Sequence, residues 1–564
     1  MNGPSYSQHH QRRTRLTLAL VLLAVTLVYL LAATRASLWD RDEPRFSRAT
    51  VEMVESGNYL YPTFNGHLRP DKPILIYWLM SLPIRVLGPT ELACRFFSVL
   101  GAAATCLFTF LIARRVVGER AGLWAVAVLA SSLMILVIGT LATADAVLLP
   151  ALVAALAVYV RMAQEPPGPR HTLLLGLAFG WALLAKGPVG LLPGLIILVA
   201  LILQSRGDRA GAAWGHLGRL GLAVLLGAAL FLAWAIPANQ ATGGDFLRLG
   251  LGRHVLERSS RPLESHGGNF FLYLPYYVPV VLAGFFPWTL HLPGAISAAL
   301  GGRLGGRLGR NLLIAWVAPV FVLMTLVATK LPHYVLLLWP ALAIAVAGTL
   351  TADRQSRLTD RDRRWLRRGV WFFGPLTLLG AAGLIVGPWF LPGKTLRWTG
   401  LASGALLLVM AAWAIRAHLA DRPVRSAQVL LAGILVLLAP LLLGAVPALD
   451  ALKISPRIAR AVTAAAPPHT PVAFYKYEEP SLNFYLARPI ESLADAAAVA
   501  QWARQKETAV LILPRQTWRG VEENYGRLPL RELAAVQGWN WAKGRELEVV
   551  ALLRGGRPAE GRSP

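Results

Sequence analysis

The sequence predicts a polytopic α-helical membrane protein that carries a small α/β domain outside the bilayer. Three observations lead there. Apolar runs near twenty residues, the length that crosses a hydrocarbon core, recur along the chain. Charged residues make up only 15% of the 564 residues, against about 25% in soluble domains. From Asp450 the composition shifts to short β-branched and aromatic runs with one helical pattern among them.

The first span is expected at 16–34, behind Arg12, Arg13 and Arg15, which place the N-terminus inside. No small-residue cleavage site precedes Asp40, so this run reads as an anchor rather than a removed signal. Further spans are expected near 92–113, 121–140, 146–160, 172–185, 189–204, 220–236, 273–297, 311–328, 335–350, 370–390, 401–416 and 427–447. Basic clusters fall between alternate spans: Arg114, Arg115 and Arg120; Arg206, Arg209 and Arg219; the loop GGRLGGRLGR; seven arginines in 351–369; and Arg416, Arg422 and Arg425. Facing all of them to the cytoplasm gives about thirteen helices with the N-terminus in and the C-terminus out. The same distribution accounts for most of the net charge of +26 and argues against a nucleic-acid partner. Cys94 and Cys106 share one span, roughly 18 Å apart along a helix, too far for a disulfide.

The expected domains are therefore a membrane domain, 1–449, with outer segments 35–91 and 237–272, and an outer α/β domain, 450–564. In the latter VAFYKY, AVLILP and LEVVALL read as strands, ADAAAVAQWARQ as a helix and the last ten residues as disordered.

Six polar groups stand out, all expected at the outer ends of helices. The first is Asp42-Glu43, ahead of a helix carrying Phe46, Ala49, Thr50, Met53 and Val54 on one face and Arg45, Arg48, Glu52 and Glu55 on the other, stopped by Gly57-Asn58. Asp42 could instead merely cap that helix. The second is Asp71-Lys72-Pro73, where the lysine either snorkels or meets a lipid phosphate. Asp145, on a short turn among apolar residues, is either a helix cap or a carboxylate facing a polar cavity. The others are Lys186; the outer-loop group of Arg253, His254, Arg258 and His266; and Lys330 with His333 and Tyr334. No cluster has zinc-ligand spacing. No cofactor is required; a divalent metal finds no support in the spacing. Cations converging on the outer surface neutralise a lipid phosphate, and a carboxylate accepts a proton from an attacking hydroxyl. These are the parts needed to transfer a group from a lipid-phosphate donor.

Asp42-Glu43 with Arg45-Phe46, then Gly57-Asn58, then Asp71-Lys72-Pro73, resembles the first outer loop of bacterial aminoarabinose lipid A transferases. These belong to the protein-mannosyltransferase-like, GT-C group of membrane glycosyltransferases. Lys330-Leu331-Pro332-His333-Tyr334 followed by Trp339-Pro340 is similar to another stretch of that group. The resemblance implies transfer of 4-amino-4-deoxy-L-arabinose from undecaprenyl phosphate to lipid A, at the periplasmic face of the inner membrane. It implies that Asp42 is the main catalytic carboxylate, with Glu43 beside it, and Asp145 the second acid. The same likeness implies that Lys72 contacts the donor phosphate with Arg258 and Tyr334, and the charge pattern adds Lys186 to that group. Arg45, Tyr61, Asp71, His254, Lys330 and His333 are expected to line the cavity. The alternatives are transfer of another sugar, such as mannose, to protein or surface polysaccharide, and, outside the enzymes, a transporter or an assembly protein. Transporters place their sites at the midplane on broken, repeated helices, whereas these charges sit at helix ends.

Overall fold

The computed structural model describes residues 4–205, 210–252 and 273–555. It divides into two compact units: Met1–Ala33, Pro70–Leu79 and Arg95–Ala445 form the first, and Thr34–Arg69, Met80–Cys94 and Val446–Pro564 the second.

The first unit is helical. Among the described residues nine helices are long and apolar enough to cross a membrane, ten if one bent pair is a single span. Four departures account for the difference from thirteen, two of them at proline or glycine. The spans expected at 172–185 and 189–204 lie in one 37-residue helical run, Pro169–Ser205, which consists of helices Pro169–Lys186 and Leu192–Ser205 joined by the tight turn Gly187–Leu191. A Cβ on Gly190 would lie 2.6 Å from the Ala182 carbonyl carbon, so the turn folds back with no room for a side chain. The span expected at 121–140 is bent by 69° between Glu119–Ala130 and Leu133–Gly139, at the Ser131-Ser132 pair. That expected at 273–297 is interrupted at Pro287 and resumes at Leu292–Leu300. That expected at 335–350 is the buried 17-residue helix Leu338–Arg354. Cys94 and Cys106 are both buried free thiols.

Small residues let the site-bearing helices approach closely, as is usual inside membranes. Cβ atoms on Gly180 and Gly227 would each come within 2.6 Å of the facing helix, at Leu230 and Phe179 respectively. The Trp181 indole donates to the Val147 carbonyl at 2.9 Å, fixing Pro169–Lys186 against Ala144–Met162.

The second unit holds the α/β domain together with the first outer loop, which the sequence reading assigned to the membrane domain. Its sheet runs in the order β4-β3-β5-β7-β6, with β3 Val472–Phe474, β4 Glu491–Ser492, β5 Ala509–Pro514, β6 Arg531–Asn540 and β7 Arg545–Arg554. β3 is parallel to β4 and β5, and β7 is antiparallel to β5 and β6. Alternate side chains go to opposite faces. Val472, Phe474, Val510 and Ile512 join helix residues Ile458, Val462 and Leu482 in one core. Ala473, Tyr475, Leu511 and Leu513 join Val499, Trp502 and Trp518 in the other. The strands expected in VAFYKY, AVLILP and LEVVALL are β3, β5 and β7, and the expected helix is Ala496–Gln505. The tail 556–564 lies outside the described residues.

In the outer loop, helix Asp42–Ser56 ends at Gly57 in the left-handed region (φ 70°). Its polar face is largely buried: Arg48 pairs with Glu52 at 3.1 Å and Glu55 at 3.2 Å. Glu52 in turn accepts from Thr63 and from the backbone of Asn65 and Gly66. That carboxylate holds the two-stranded turn of β1 (Thr63–Phe64) and β2 (His67–Leu68).

Candidate active site

The first unit contains a cavity of about 310 Å³ with a polar mouth and an apolar body. Four elements bring charge to the mouth. Asp71 and Lys72 come from the turn ahead of helix Leu75–Leu87, Asp145 from the first turn of Ala144–Met162, Lys186 from the last residue of Pro169–Lys186, and His333 and Tyr334 from the 3-10 turn Pro332–Val335. The body is walled by Leu148, Leu149, Leu152, Leu183, Leu192, Phe231, Trp234, Phe246, Met324 and Leu337. Trp234 packs edge-on between Phe231 and Phe246, with ring centroids at 5.7 and 5.4 Å.

At the centre of the mouth Lys186 Nζ donates to Asp145 Oδ1 at 2.5 Å, with both side chains largely buried. Asp145 sits at the positive end of one helix and Lys186 at the negative end of another, so each charge suits its dipole. Asp145 is not a helix cap: the N-cap position is Thr143, with no side-chain cap bond. His333 Nε2 stands 3.7 Å from Asp145 Oδ2, and its ring meets Tyr334 at 5.2 Å, nearly perpendicular. Lys186 Nζ lies 5.4 Å over the Tyr334 ring. Lys72 donates to its neighbour's carbonyl, Asp71 O, at 3.1 Å and is close enough to Asp145 to interact electrostatically. The mouth is thus two lysines, a histidine and a tyrosine around the ion-paired Asp145, with Asp71 beside Lys72, opening onto apolar walls.

Of the residues expected from the sequence, Asp71, Lys72, Asp145, Lys186, His333 and Tyr334 come together here. Lys330 does not. It is buried, and its Nζ donates to the carbonyls of Met324, Thr325 and Val327. It closes the C-terminal end of helix Gly306–Leu326, where orphan carbonyls need donors. Glu43 is 2% exposed, and its Oε2 accepts the Trp39 backbone N–H at 2.8 Å, a bond across the start of its helix. Asp42, Arg45 and Tyr61 belong to the second unit. Asp42 is exposed, while Arg45 and Tyr61 are half-buried. The Asp42 side chain makes no hydrogen bond or ion pair among the described residues. His254 and Arg258 lie outside the described residues. No three His, Cys, Asp or Glu side chains gather as a metal site among the described residues. The aromatic wall of Phe231, Trp234 and Phe246 was missed, because in sequence it reads as ordinary span and loop-start residues.

Residues 71–234 match the family model of dolichyl-phosphate-mannose-protein mannosyltransferases. Several curated relatives are named undecaprenyl phosphate-α-4-amino-4-deoxy-L-arabinose arabinosyl transferase. That of Edwardsiella ictaluri is 29% identical over 70% of this chain, that of Pectobacterium carotovorum 28% over 77%, and one of Sodalis glossinidius 33% over 58%. The matches span 65% of the length of the Edwardsiella relative, 76% of the Pectobacterium one and 58% of the Sodalis one. Among solved structures, ArnT from Cupriavidus metallidurans bound to undecaprenyl phosphate superposes with a TM-score of 0.74 at 21% identity, covering 94% of this chain and 97% of that one. Its apo state gives 0.75 at 20%, covering 96% and 99%. The fold is therefore that of ArnT from Cupriavidus metallidurans. Within that fold the chain is similar in sequence to the aminoarabinose transferases named above.

Proposed function

We propose that the protein transfers 4-amino-4-deoxy-L-arabinose from undecaprenyl phosphate to lipid A at the periplasmic face of the bacterial inner membrane. The observation that carries this reading is the shape of one cavity: a mouth with Lys72 and Lys186, continuous with apolar walls. That is the complement of a phosphate joined to a polyprenyl chain. The sugar and the donor come from the names of the relatives, and the lipid A acceptor from the likeness of the outer loop.

In the proposed reaction an acceptor oxygen attacks the anomeric carbon. The new C–O bond forms as the bond from that carbon to the donor phosphate oxygen breaks, and the electron pair stays on the phosphate. The phosphate gains one negative charge, and Lys72 and Lys186 stabilise it more in the transition state than in the bound donor. At neutral pH the released monoester needs no proton, since its second pKa is about 6. Asp145 keeps Lys186 aimed at the mouth. When the acceptor is a lipid A phosphate, Asp42 orients it or balances positive charge on the sugar. When the acceptor is a hydroxyl, Asp42 takes its proton.

The family model over 71–234 is the observation that favours a second reading, transfer of a hexose to protein. The test uses the purified full chain in liposomes, given undecaprenyl-phosphate aminoarabinose with lipid A, or a polyprenyl-phosphate mannose with a Ser/Thr peptide. The proposal expects product only in the first arm, and a loss of at least a hundredfold in Asp42→Asn. Product only in the second arm, or a near-normal rate in Asp42→Asn, overturns it.

A further inference from the structure

We propose that the C-terminal domain is a positioning clamp for the segment that presents Asp42, with Asp40 as its central positioning residue. This rests on the role proposed above for Asp42. Four consecutive residues ahead of Asp42 are each held by that domain. The Ser37 backbone N–H and Oγ donate to Asp450 Oδ1 at 2.9 and 2.5 Å. The Leu38 N–H donates to the Tyr485 hydroxyl at 2.7 Å. Lys453 Nζ donates to the carbonyls of Ser37 at 2.7 Å and Leu38 at 3.3 Å. Trp39 lies with its ring face 3.6 Å from Lys453 Nζ and meets Trp541 edge-on at 5.8 Å. Asp40 receives the Ser481 backbone N–H on Oδ1 at 2.8 Å and the Ser481 hydroxyl on Oδ2 at 2.5 Å.

The side chain of Asp42 is exposed and makes no bond of its own among the described residues. Its place is therefore set by the backbone on either side. Ahead of it stands the clamped Asp40. Behind it Glu43 returns to the Trp39 N–H at 2.8 Å, so Trp39 to Glu43 is a closed turn whose floor the domain holds. The floor is itself anchored in the domain, because the Trp539 N–H donates to the Leu452 carbonyl at 2.8 Å, next to Lys453. Most of these bonds have a charged donor or acceptor, the stronger kind, and together they fix one backbone path where a flexible loop would sample many. Both carboxylate oxygens of Asp40 are used by Ser481, which makes it a holder rather than a second base.

The chemistry of the clamp dictates a discriminating pair. Asn at position 40 keeps both contacts: its oxygen accepts the Ser481 N–H and its amide donates to the Ser481 hydroxyl. Ala keeps neither. In the full chain Asp40→Ala should lower kcat at least tenfold with donor KM within twofold, and Asp40→Asn should stay within threefold of wild type on both. A nitroxide at Asp42→Cys reads the same clamp without any turnover. It should be immobile in the wild-type background, mobile with Asp40→Ala and immobile with Asp40→Asn, all three remaining folded at the temperature of the measurement. Unchanged kcat and label mobility in Asp40→Ala, or Asp40→Asn as impaired as Asp40→Ala, overturns the clamp. If wild type transfers no aminoarabinose but the label still responds, the functional reading fails and the clamp stands.

Discussion

Replacing Lys186 by Met separates two effects that the cavity joins. Lys186 Nζ and Asp145 Oδ1 are 2.5 Å apart, with side chains only 11% and 13% exposed. Removing one partner of such a pair leaves the other charge stranded, at a cost of about 3–5 kcal/mol. His333 at 3.7 Å and the nearby Lys72 still face Asp145, so the lower end, about 3 kcal/mol, is expected. Replacing both, as Asp145→Asn with Lys186→Met, removes the stranded charge and restores most of the stability. Donor affinity behaves differently. Losing a charge-assisted bond to the donor phosphate costs about 1.5–3 kcal/mol, or roughly 10- to 150-fold in donor KM. In the single variant the bare Asp145 also repels the phosphate. Donor KM should therefore rise in the order wild type, double variant, single variant, while the melting temperature falls only in the single. The assay is thermal unfolding in detergent beside donor titration in liposomes. A donor KM within twofold of wild type in Lys186→Met, or a double variant indistinguishable from wild type in donor KM, refutes the assignment of Lys186 to the phosphate.

Three further outcomes follow from the same contacts. Lys330→Met should lower stability by about 2–3 kcal/mol, by stripping charge-assisted bonds from three carbonyls, and leave donor KM unchanged; a KM rise would return Lys330 to the site. Glu43→Gln keeps an acceptor for the Trp39 N–H and should hold kcat within threefold, in contrast to Asp42→Asn, and a loss equal to that of Asp42→Asn would make Glu43 catalytic. Burial, with Glu479 nearby, raises the Asp40 carboxyl from 3.8 to about 6 against the opposing pull of Ser481 and Lys453. Because the folded value lies above the unfolded one, its contribution is full below pH 3.8 and is lost as pH rises through about 6. The loss is at most about 3 kcal/mol, read as a lower melting temperature at pH 7.5 than at pH 5, and Asp40→Asn should flatten that difference.

Much of the fold was legible because a bilayer imposes a length and a polarity on each helix, and the strands β3, β5 and β7 carry dense apolar runs. β6 was not legible: RELAAVQGWN mixes alanine, charge and glycine, and only pairing with β7 makes it a strand. Nor was the bend at Ser131-Ser132, since the run is continuously apolar on both sides. Asp145 and Lys186 could be found because charge is costly where they sit. The same rule misled at Lys330, whose charge is used by helix-end carbonyls. A lysine a few residues past a helix end was the available signal for that role. The union of the first outer loop with the C-terminal domain joins residues such as Asp40 and Ser481, 441 positions apart. No local pattern reports a contact at that distance.

The most direct test of the central claim is mass spectrometry of lipid A from cells with and without this protein, with undecaprenyl-phosphate aminoarabinose available in both. The account predicts an added aminopentose on lipid A only when the protein is present, and its loss in the Lys72→Ala and Asp42→Asn variants. Identical lipid A in both cells, with sugar appearing instead on protein or surface polysaccharide, would contradict it.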